Sequence, residues 1–361
     1  METEGNWKNE FGRPWMIAGP CSAETYEQLF QTTKAVYDLG ITVVRAGVWK
    51  PRTRPNTFEG VGEPALEWIE AIKAEIPVQF AIEVANVQHL ELALKHHIDM
   101  VWLGARTTVN PFTVQEIADA LKGTDIPVMV KNPVNPDLAL WLGCIERIAN
   151  AGVRQIAAIH RGFSSFRNTR YRNEPLWQLP IELKGRLPHI PLICDPSHIA
   201  GDRSMIREIA QKALDLNYDG IMVETHPDPD NALSDPMQQV SLRQLADIIG
   251  DLKLRKDTCD DALFKSKLEE LRNRIDSIDH DIVENLANRL RIIEEIGQYK
   301  KENDVTILQM ERWTSILNSR REWSKALGLS TDLIEEIYKT IHSESIRKQT
   351  EIFNRSPESP S

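Results

Sequence analysis

Short apolar runs rich in β-branched residues recur at intervals of roughly 25 to 30 positions up to Val223. They are Trp15–Ala18, Ile41–Arg45, Val78–Val84, Met100–Leu103, Val128–Val130, Gln155–Ile159, Leu192–Cys194 and Gly220–Val223. Amphipathic stretches of helical length separate them: Thr25–Leu39, Glu63–Ala74, Val87–His96, Thr113–Leu121, Pro136–Asn150 and Asp202–Leu216. Several strands are entered through a turn signal, such as Gly40, Gly152, Asp219 before Gly220, or a proline at Pro77 and Pro127. Eight β units alternating with helices predict parallel strands. Eight of them in about 240 residues close most naturally into a (β/α)8 TIM barrel of the α/β class. The competitor is an open doubly wound sheet. No G-x-G-x-x-G follows the first strand, and no G-x-x-x-x-G-K-[ST] occurs anywhere.

The pattern changes after Gly250. Residues 251–264 are charged and read as a linker, and from Lys265 the β runs vanish. Leu268, Leu271, Ile275, Ile278 and Ile282 keep 3–4 spacing, continued by Leu286, Leu290 and Ile293 with no proline before Pro357. That spacing predicts a helix of roughly 35 residues, about 50 Å long. A shorter helix from about Ile307 ends near Gly328, and Ser330 or Thr331 caps a third running to about Phe353. The expected organisation is a barrel over 1–250, a linker over 251–264, an all-α three-helix domain over 265–353, and a disordered tail over 354–361.

Composition narrows the function classes. The 361 residues are 41% hydrophobic and 27% charged, typical of a soluble protein, with a formal charge of −10. That balance argues against binding of nucleic acid or of an anionic membrane. Four cysteines without a C-x-x-C pair suggest a reducing compartment. The first residues have neither a basic nor an apolar segment, and no run reaches 18 apolar residues, so a cytoplasmic location is expected.

The residues just past the predicted strands carry the chemistry. In order they are Cys21; Arg45 and Lys50 to Thr53; Glu83; Arg106; Lys131; Arg161; Asp195 and His198; and Glu224. In (β/α)8 enzymes the active site is built from these strand ends. A single such charge is ordinarily a solvated loop residue, but seven of eight strand ends carrying one is not. Arg45, Lys50, Arg106, Lys131 and Arg161 would repel one another at a common mouth unless they answer polyanions such as phosphates and carboxylates. Cys21, His198, Glu224 and Asp235 form a mixed donor set suited to Zn2+, Fe2+ or Mn2+.

These motifs resemble the type I 3-deoxy-D-arabino-heptulosonate 7-phosphate (DAHP) synthase family over about residues 14–250. The likeness rests on Ile17-Ala-Gly-Pro-Cys-Ser22, Val44 through Lys50-Pro-Arg-Thr53, Gly104-Ala-Arg106, Met129-Val-Lys-Asn132, His160-Arg-Gly162, Asp195-Pro-Ser-His198 and Val223 to Asp228. The resemblance implies joining of phosphoenolpyruvate to erythrose 4-phosphate. It implies that Cys21, His198, Glu224 and Asp235 hold a divalent metal, Mn2+ first, with Co2+, Fe2+ and Zn2+ as alternatives. It further implies that Arg45, Lys50, Arg106, Lys131 and Arg161 surround phosphoenolpyruvate, while Arg52 and Thr53 bind the aldose phosphate with Arg106 close to both. Lys50 is the expected proton donor to the aldehyde oxygen. Two positions depart from the common pattern: His160 stands where Glu often precedes Arg-Gly, which puts a water-positioning role there in doubt, and Arg54 stands where Ser is frequent. Glu83 reads equally well as a partner for one of the cations or as a catalytic acid. The related synthase that uses arabinose 5-phosphate carries Lys-Ala-Asn-Arg-Ser-Ser in place of Lys-Pro-Arg-Thr.

In the helical part Arg272, Arg289 and Lys300 are 17 and 11 residues apart. At 100° per residue, offsets of about −100° and +20° put Arg289 and Lys300 on one face and Arg272 on another. A partner chain could supply Arg272. Leu271 to Asp279, Asn288-Arg289, Gly297 to Lys300 and Ser345 to Gln349 resemble the all-helical chorismate mutase family over about 265–352. The resemblance implies an intertwined homodimer that rearranges chorismate to prephenate. Arg272 and Arg289 would bind carboxylates, Lys300 and Gln349 would contact the ether oxygen, and Gln309, Arg312 and Ser345 would complete the site. Gln309 and Trp313 depart from that family, where acidic residues usually meet the substrate hydroxyl. The alternative is a helical domain kept only for dimerisation or for sensing a product, and the fusion itself raises an expectation of feedback on the barrel through the helical domain.

Overall fold

The computed structural model describes residues 7–50, 58–166, 169–256 and 258–355. It divides into two compact units, residues 1–257 and 258–361.

In the first unit, strands β1 (Trp15–Gly19), β2 (Val43–Ala46), β3 (Gln79–Val84), β4 (Met100–Leu103), β5 (Val128–Lys131), β6 (Ile156–His160), β7 (Leu192–Cys194) and β8 (Gly220–His226) pair in sequence order, all parallel. Pairing of β1 with β8, from Trp15↔Gly220 to Gly19↔Glu224, closes the barrel. A two-residue strand β9 (Val240–Ser241) extends the far end of β8. The expected fold class is therefore borne out, and the eight expected strands are all present.

Period-two alternation sorts the side chains. Ile17, Val43, Ala81, Met100, Trp102, Met129, Ala157, Ile159, Ile193 and Met222 pack inside the barrel with Trp15 and Trp7. Their neighbours, such as Val44, Ile82, Val130, Ala158 and Val223, pack outward against helices. The barrel centre is thus a solid apolar plug. Two residues further along several strands, the inward positions switch to Arg45, Glu83, Lys131, Arg161, Asp195 and Glu224.

The helices of this unit are α1 (Tyr26–Asp38), α2 (Glu63–Glu75), α3 (Val87–Lys95), α4 (Ala105–Thr108), α5 (Pro111–Leu121), α6 (Leu138–Asn150), α7 (Gln178–Arg186), α8 (Pro196–Ala200), α9 (Ile206–Asp215) and α10 (Leu242–Asp251). Their starts follow side-chain caps: Thr25, Asn86, Asn110 and Asp137 each accept from a backbone N–H in the first turn. Helix α5 begins two residues before the expected Thr113 because Asn110 caps it and Pro111 is tolerated in the first turn. The sequence reading did not delineate α4, α7, α8 or α10. Helix α7 carries Pro180 and Gly185, which blur its period.

Past α10 the chain runs along α9. Arg207 Nη1 meets Asp251 Oδ2 at 2.7 Å, Gln211 bonds both backbone groups of Lys253 at 3.0 and 2.8 Å, and Arg255 Nε donates to Asp215 Oδ1 at 2.6 Å. Positions four apart on a helix rise about 6 Å, and positions two apart on an extended chain about 6.6 Å, so the two ladders stay in step.

The second unit comprises α11 (Ala262–Glu302), α12 (Met310–Ala326) and α13 (Thr331–Asn354). Capped by Asp261, α11 begins at Ala262, three residues before the expected start at Lys265, and runs 41 residues rather than about 35. Ser330 caps α13 by accepting from Leu333 N. Of all α11 only Gly297 is buried, where an added Cβ would come within 3.0 Å of Ile352 Cδ1 on α13. Leu271, Ile275, Ile278, Ile282 and Leu286 form an exposed apolar stripe on α11. Residues 356–361 of the expected tail lie outside the described residues.

The apolar plug gives a stability test. Ile17→Ala, which removes three carbons from a fully buried site, should cost about 2–5 kcal/mol and lower the urea midpoint of the barrel; an unchanged midpoint would contradict this packing.

Candidate active site

At the C-terminal ends of the strands lies a cavity of about 380 Å³, lined by Lys50, Glu83, Arg106, Lys131, Arg161, Arg172, Asn173, His198 and Asp235 among others. Larger hollows exist, one of about 850 Å³ beside α9 and the segment after α10. The cations lining that hollow include Arg170, Arg207 and Arg255, each already paired with a carboxylate. The strand-end cavity is the one where unmatched chemistry converges.

Beneath it the charges are buried. Arg45 Nη2 lies 3.0 Å from Glu224 Oε1, and Lys131 Nζ lies 3.1 Å from Asp195 Oδ2. Both cations also stand over the Trp102 ring, at 5.1 and 5.3 Å from its centroid, while the Trp102 indole N–H donates to Glu83 Oε2 at 2.8 Å. Burial opposes the charge on Asp195, yet His198, Lys131 and Arg45 hold its carboxyl well below the usual range. Glu224 is likewise held down, against burial, by Arg45 and His198. Burial pushes the Lys131 ammonium below its ordinary value and brings Arg161 down to about 10. An anionic ligand would offset that burial cost and favour the charged form of both groups. Arg45 Nε and Nη1 are buried without a hydrogen-bond partner, which points the same way.

The predicted metal donors arrive in pairs. Cys21 Sγ is 3.5 Å from Asp235 Oδ2, and His198 Nε2 is 3.8 Å from Glu224 Oε1. His198 Nδ1 stands 2.8 Å from Asp195 Oδ2, which orients Nε2 away from it. The four are not drawn into one tight group. Lys50 Nζ donates to Cys21 Sγ at 3.1 Å, and Arg172 Nη1 pairs with Asp235 Oδ1 at 3.0 Å. Among the described residues, only His280, Asp281 and Glu284 on α11 have ligand atoms all within 4.8 Å of one another, and all three are exposed. The strand-end set nonetheless fits a divalent ion: it offers sulfur, nitrogen and carboxylate oxygen, and Glu224 Oε1 is buried without a hydrogen bond. Burial and the charge of Glu224 push the Cys21 thiol up to about 11, and a bound cation reverses that bias.

Arg52 and Thr53 lie outside the described residues. Several site residues escaped the sequence reading. Arg172 bridges Asp235 and Gln238, whose amide in turn donates to Glu224 Oε2 at 2.6 Å. Gln239 Oε1 accepts from the Cys21 backbone N–H at 2.9 Å. Asn173 links Arg161 to His198. His160 turns away from the mouth. Its Nε2–H donates to the Pro175 carbonyl at 2.7 Å and its Nδ1 accepts from Tyr218 OH at 3.0 Å, among Phe163 and Trp177. It is a packing residue of the outer face.

In the helical unit Arg289 Nη1 donates to Ser345 Oγ at 2.7 Å, and Gln349 one turn on is buried with its Oε1 unsatisfied. Lys300 Nζ donates to the Ile307 carbonyl at 2.6 Å. Lys300 and Gln309 share the lining of a cavity of about 590 Å³ with Ile292, Ile296 and Tyr299. Arg272 and Arg312 are exposed. Arg272 stands 17 residues before Arg289 on one helix, about 26 Å along its axis. A single chain does not bring it to the others. Trp313 stacks on His342, ring centroids 3.9 Å apart, and so fills its position with an aromatic contact.

Residues 9–258 match the family model described as DAHP synthetase I family. The chain belongs to that family. Residues 271–350 match the model for chorismate mutase type II. A phospho-2-dehydro-3-deoxyheptonate aldolase of Thermotoga maritima is 30% identical over 242 residues, which are 67% of this chain and 70% of the relative. A crystal structure of such an aldolase (DAHP synthase) from the same organism has TM-score 0.59 and 29% identity, covering 65% of this chain and 67% of that one. A T-protein of Enterobacter agglomerans is 36% identical over 86 residues, 24% of this chain and 23% of its own. The DAHP synthetase I barrel thus spans the strand-end site, and the second match spans Arg289, Lys300 and Ser345.

The buried ring of His160 makes the barrel pH-sensitive. Burial lowers its pKa from the usual 6.5 to about 3, so the unfolded chain takes up a proton there first. Stability from the neutral ring is fully present above about 6.5 and is lost progressively as pH falls from there toward about 3. His160→Gln should flatten the loss of urea midpoint across the same window; an unchanged slope would count against it.

Proposed function

We propose that the barrel condenses phosphoenolpyruvate with erythrose 4-phosphate to DAHP and phosphate, and that the helical unit rearranges chorismate to prephenate. The two family matches support a bifunctional shikimate-pathway enzyme. The observation that carries the barrel reading is the convergence of Lys50, Arg106, Lys131 and Arg161 on one mouth beside a Cys/His/Glu/Asp donor set, above a buried Arg45 with two nitrogens lacking a hydrogen bond.

In this reading Arg45, Lys131, Arg161 and Arg106 hold the phosphate and carboxylate of phosphoenolpyruvate. Arg52 and Thr53 take the aldose phosphate. A new C–C bond forms between C3 of phosphoenolpyruvate and the aldehyde carbon, and the aldehyde oxygen takes a proton from Lys50. Water then adds at C2, and phosphate leaves from the resulting hemiketal phosphate. The cations stabilise negative charge as it develops on oxygen. The family is metal-dependent, and Cys21, His198, Glu224 and Asp235 would hold the ion, Mn2+ first. A divalent cation there supplies Lewis acidity toward the aldehyde.

The helical unit needs no nucleophile, because the rearrangement is pericyclic. Arg289, Lys300, Ser345 and Gln349 hold the substrate in its folded conformer, with Gln309 and Arg312 flanking, and the buried unsatisfied Gln349 Oε1 supports a ligand there. The exposed stripe on α11, and the distance of Arg272 from Arg289, support a homodimer in which the partner supplies Arg272. A product bound to that unit is the expected feedback signal to the barrel. None of the described helices is long and apolar enough to cross a membrane, and we place the enzyme in the cytoplasm.

Two assays test the reading. Phosphoenolpyruvate and erythrose 4-phosphate should be turned over, EDTA should abolish turnover, and added Mn2+ should restore it; EDTA-insensitive turnover rejects the donor set. Arg289→Ala should lower chorismate turnover by about 10²-fold or more while leaving barrel turnover unchanged; no mutase activity in the parent protein rejects the catalytic role of the helices.

A further inference from the structure

Asn173 lines the mouth and delivers its carboxamide between the two halves of the proposed site. Asn173 Oδ1 accepts from Arg161 Nη1 at 2.8 Å, and its Nδ2 donates to the His198 carbonyl at 2.6 Å. The orientation of the amide is dictated by its partners, since a guanidinium can only donate and a carbonyl can only accept. Asn173 is itself held: its backbone N–H donates to Ile199 O at 3.2 Å. The adjoining Gly162 has φ +76, and a Cβ there would come within 2.6 Å of the Asn173 carbonyl oxygen. Arg161 has a second tie to the neighbouring strand end, because its backbone N–H donates to Asn132 Oδ1 at 2.7 Å.

The two bonds of one amide thus join the Arg161 guanidinium to the turn carrying His198. We propose that Asn173 is a positioning residue that ties Arg161 and His198 into one unit, so that phosphoenolpyruvate and the divalent cation each bind tighter in the presence of the other. The inference rests on the roles proposed above for Arg161 and His198. Reciprocity of the two affinities follows from linkage.

The test measures binding as well as turnover. Free Mn2+ is titrated by EPR against the full chain, with and without saturating phosphoenolpyruvate and with no erythrose 4-phosphate present. Wild-type protein should bind Mn2+ about tenfold tighter with phosphoenolpyruvate, and Asn173→Ala should bring that ratio close to one. The same variant should weaken Mn2+ binding by about tenfold or more and raise KM for phosphoenolpyruvate with a smaller change in kcat. Asn173→Asp keeps side-chain volume and the acceptor for Arg161 but sets a carboxylate against the His198 carbonyl. It should also lose the coupling, and it serves if the alanine variant does not fold by circular dichroism. A wild-type ratio of one, or a wild-type ratio retained in a folded Asn173 variant, overturns the proposal while turnover by the parent protein leaves the reading of the site standing. Parent protein that neither binds nor turns over phosphoenolpyruvate overturns both.

Discussion

Arg45, Lys131, Asp195 and Glu224 are taken almost wholly out of water, and the mouth of the barrel is organised around making that burial tolerable. Charges removed from solvent at this depth persist only when opposed by partners of opposite sign and by polarizable surface. Both devices are present. Asp195 sits among Lys131, Arg45 and His198, and the Trp102 ring lies beneath two of the cations. The matching is incomplete, since two Arg45 nitrogens lack a hydrogen-bond partner and Glu224 Oε1, itself without a hydrogen bond, is held through its ion pair with Arg45. An electrostatic frame built before the substrate arrives, and left short of partners, can lower the energy of developing charge without reorganising first. The apolar plug below matters for the same reason: its packed side chains fill the barrel interior beneath the charged layer and leave water no polar partner there.

The helical unit works with the opposite economy of burial. Apart from Gly297, no residue of α11 is fully buried; Arg289, Leu290, Ile293 and Lys300 are half-buried, and the apolar stripe from Leu271 to Leu286 remains in solvent. Hydrophobic positions spaced three and four apart along most of a 41-residue helix imply a surface to be covered. Its polar groups converge only where α13 comes close enough for Gly297 to be required. Packing geometry therefore decides where on the long helix a ligand can be held.

Much of this was legible from residue pattern. Strand positions follow from apolar runs, and the charged layer follows from a period of two carried past each run: Val43 to Arg45, Met129 to Lys131, Met222 to Glu224. What could not be read is what irregular chain supplies. Arg172, Asn173, Gln238 and Gln239 sit in segments without a period, so nothing in their spacing says which way they face. His160 illustrates the converse. Its neighbour Arg161 enters the mouth, and a step of one residue along a strand reverses the face, so His160 is committed to the outer layer with Tyr218 and Pro175. The early start of α11 was hidden because Asp261 caps it inside a charged run that reads equally well as linker.

The matched steps of α9 and the chain beside it have a consequence for how such a protein can be assembled from modules. Arg207, Gln211 and Asp215 meet Asp251, Lys253 and Arg255 as teeth meet a rack, while Leu252 packs toward the core. Inserting or deleting one residue within this stretch would put a leucine where a charge is required and a charge against the core. Changes of length within residues 251–255 are therefore disfavoured, whereas the chain past Arg255 is free of this register. The seam at which a different appendage could be spliced to the same barrel lies just past that residue, and the barrel itself marks it.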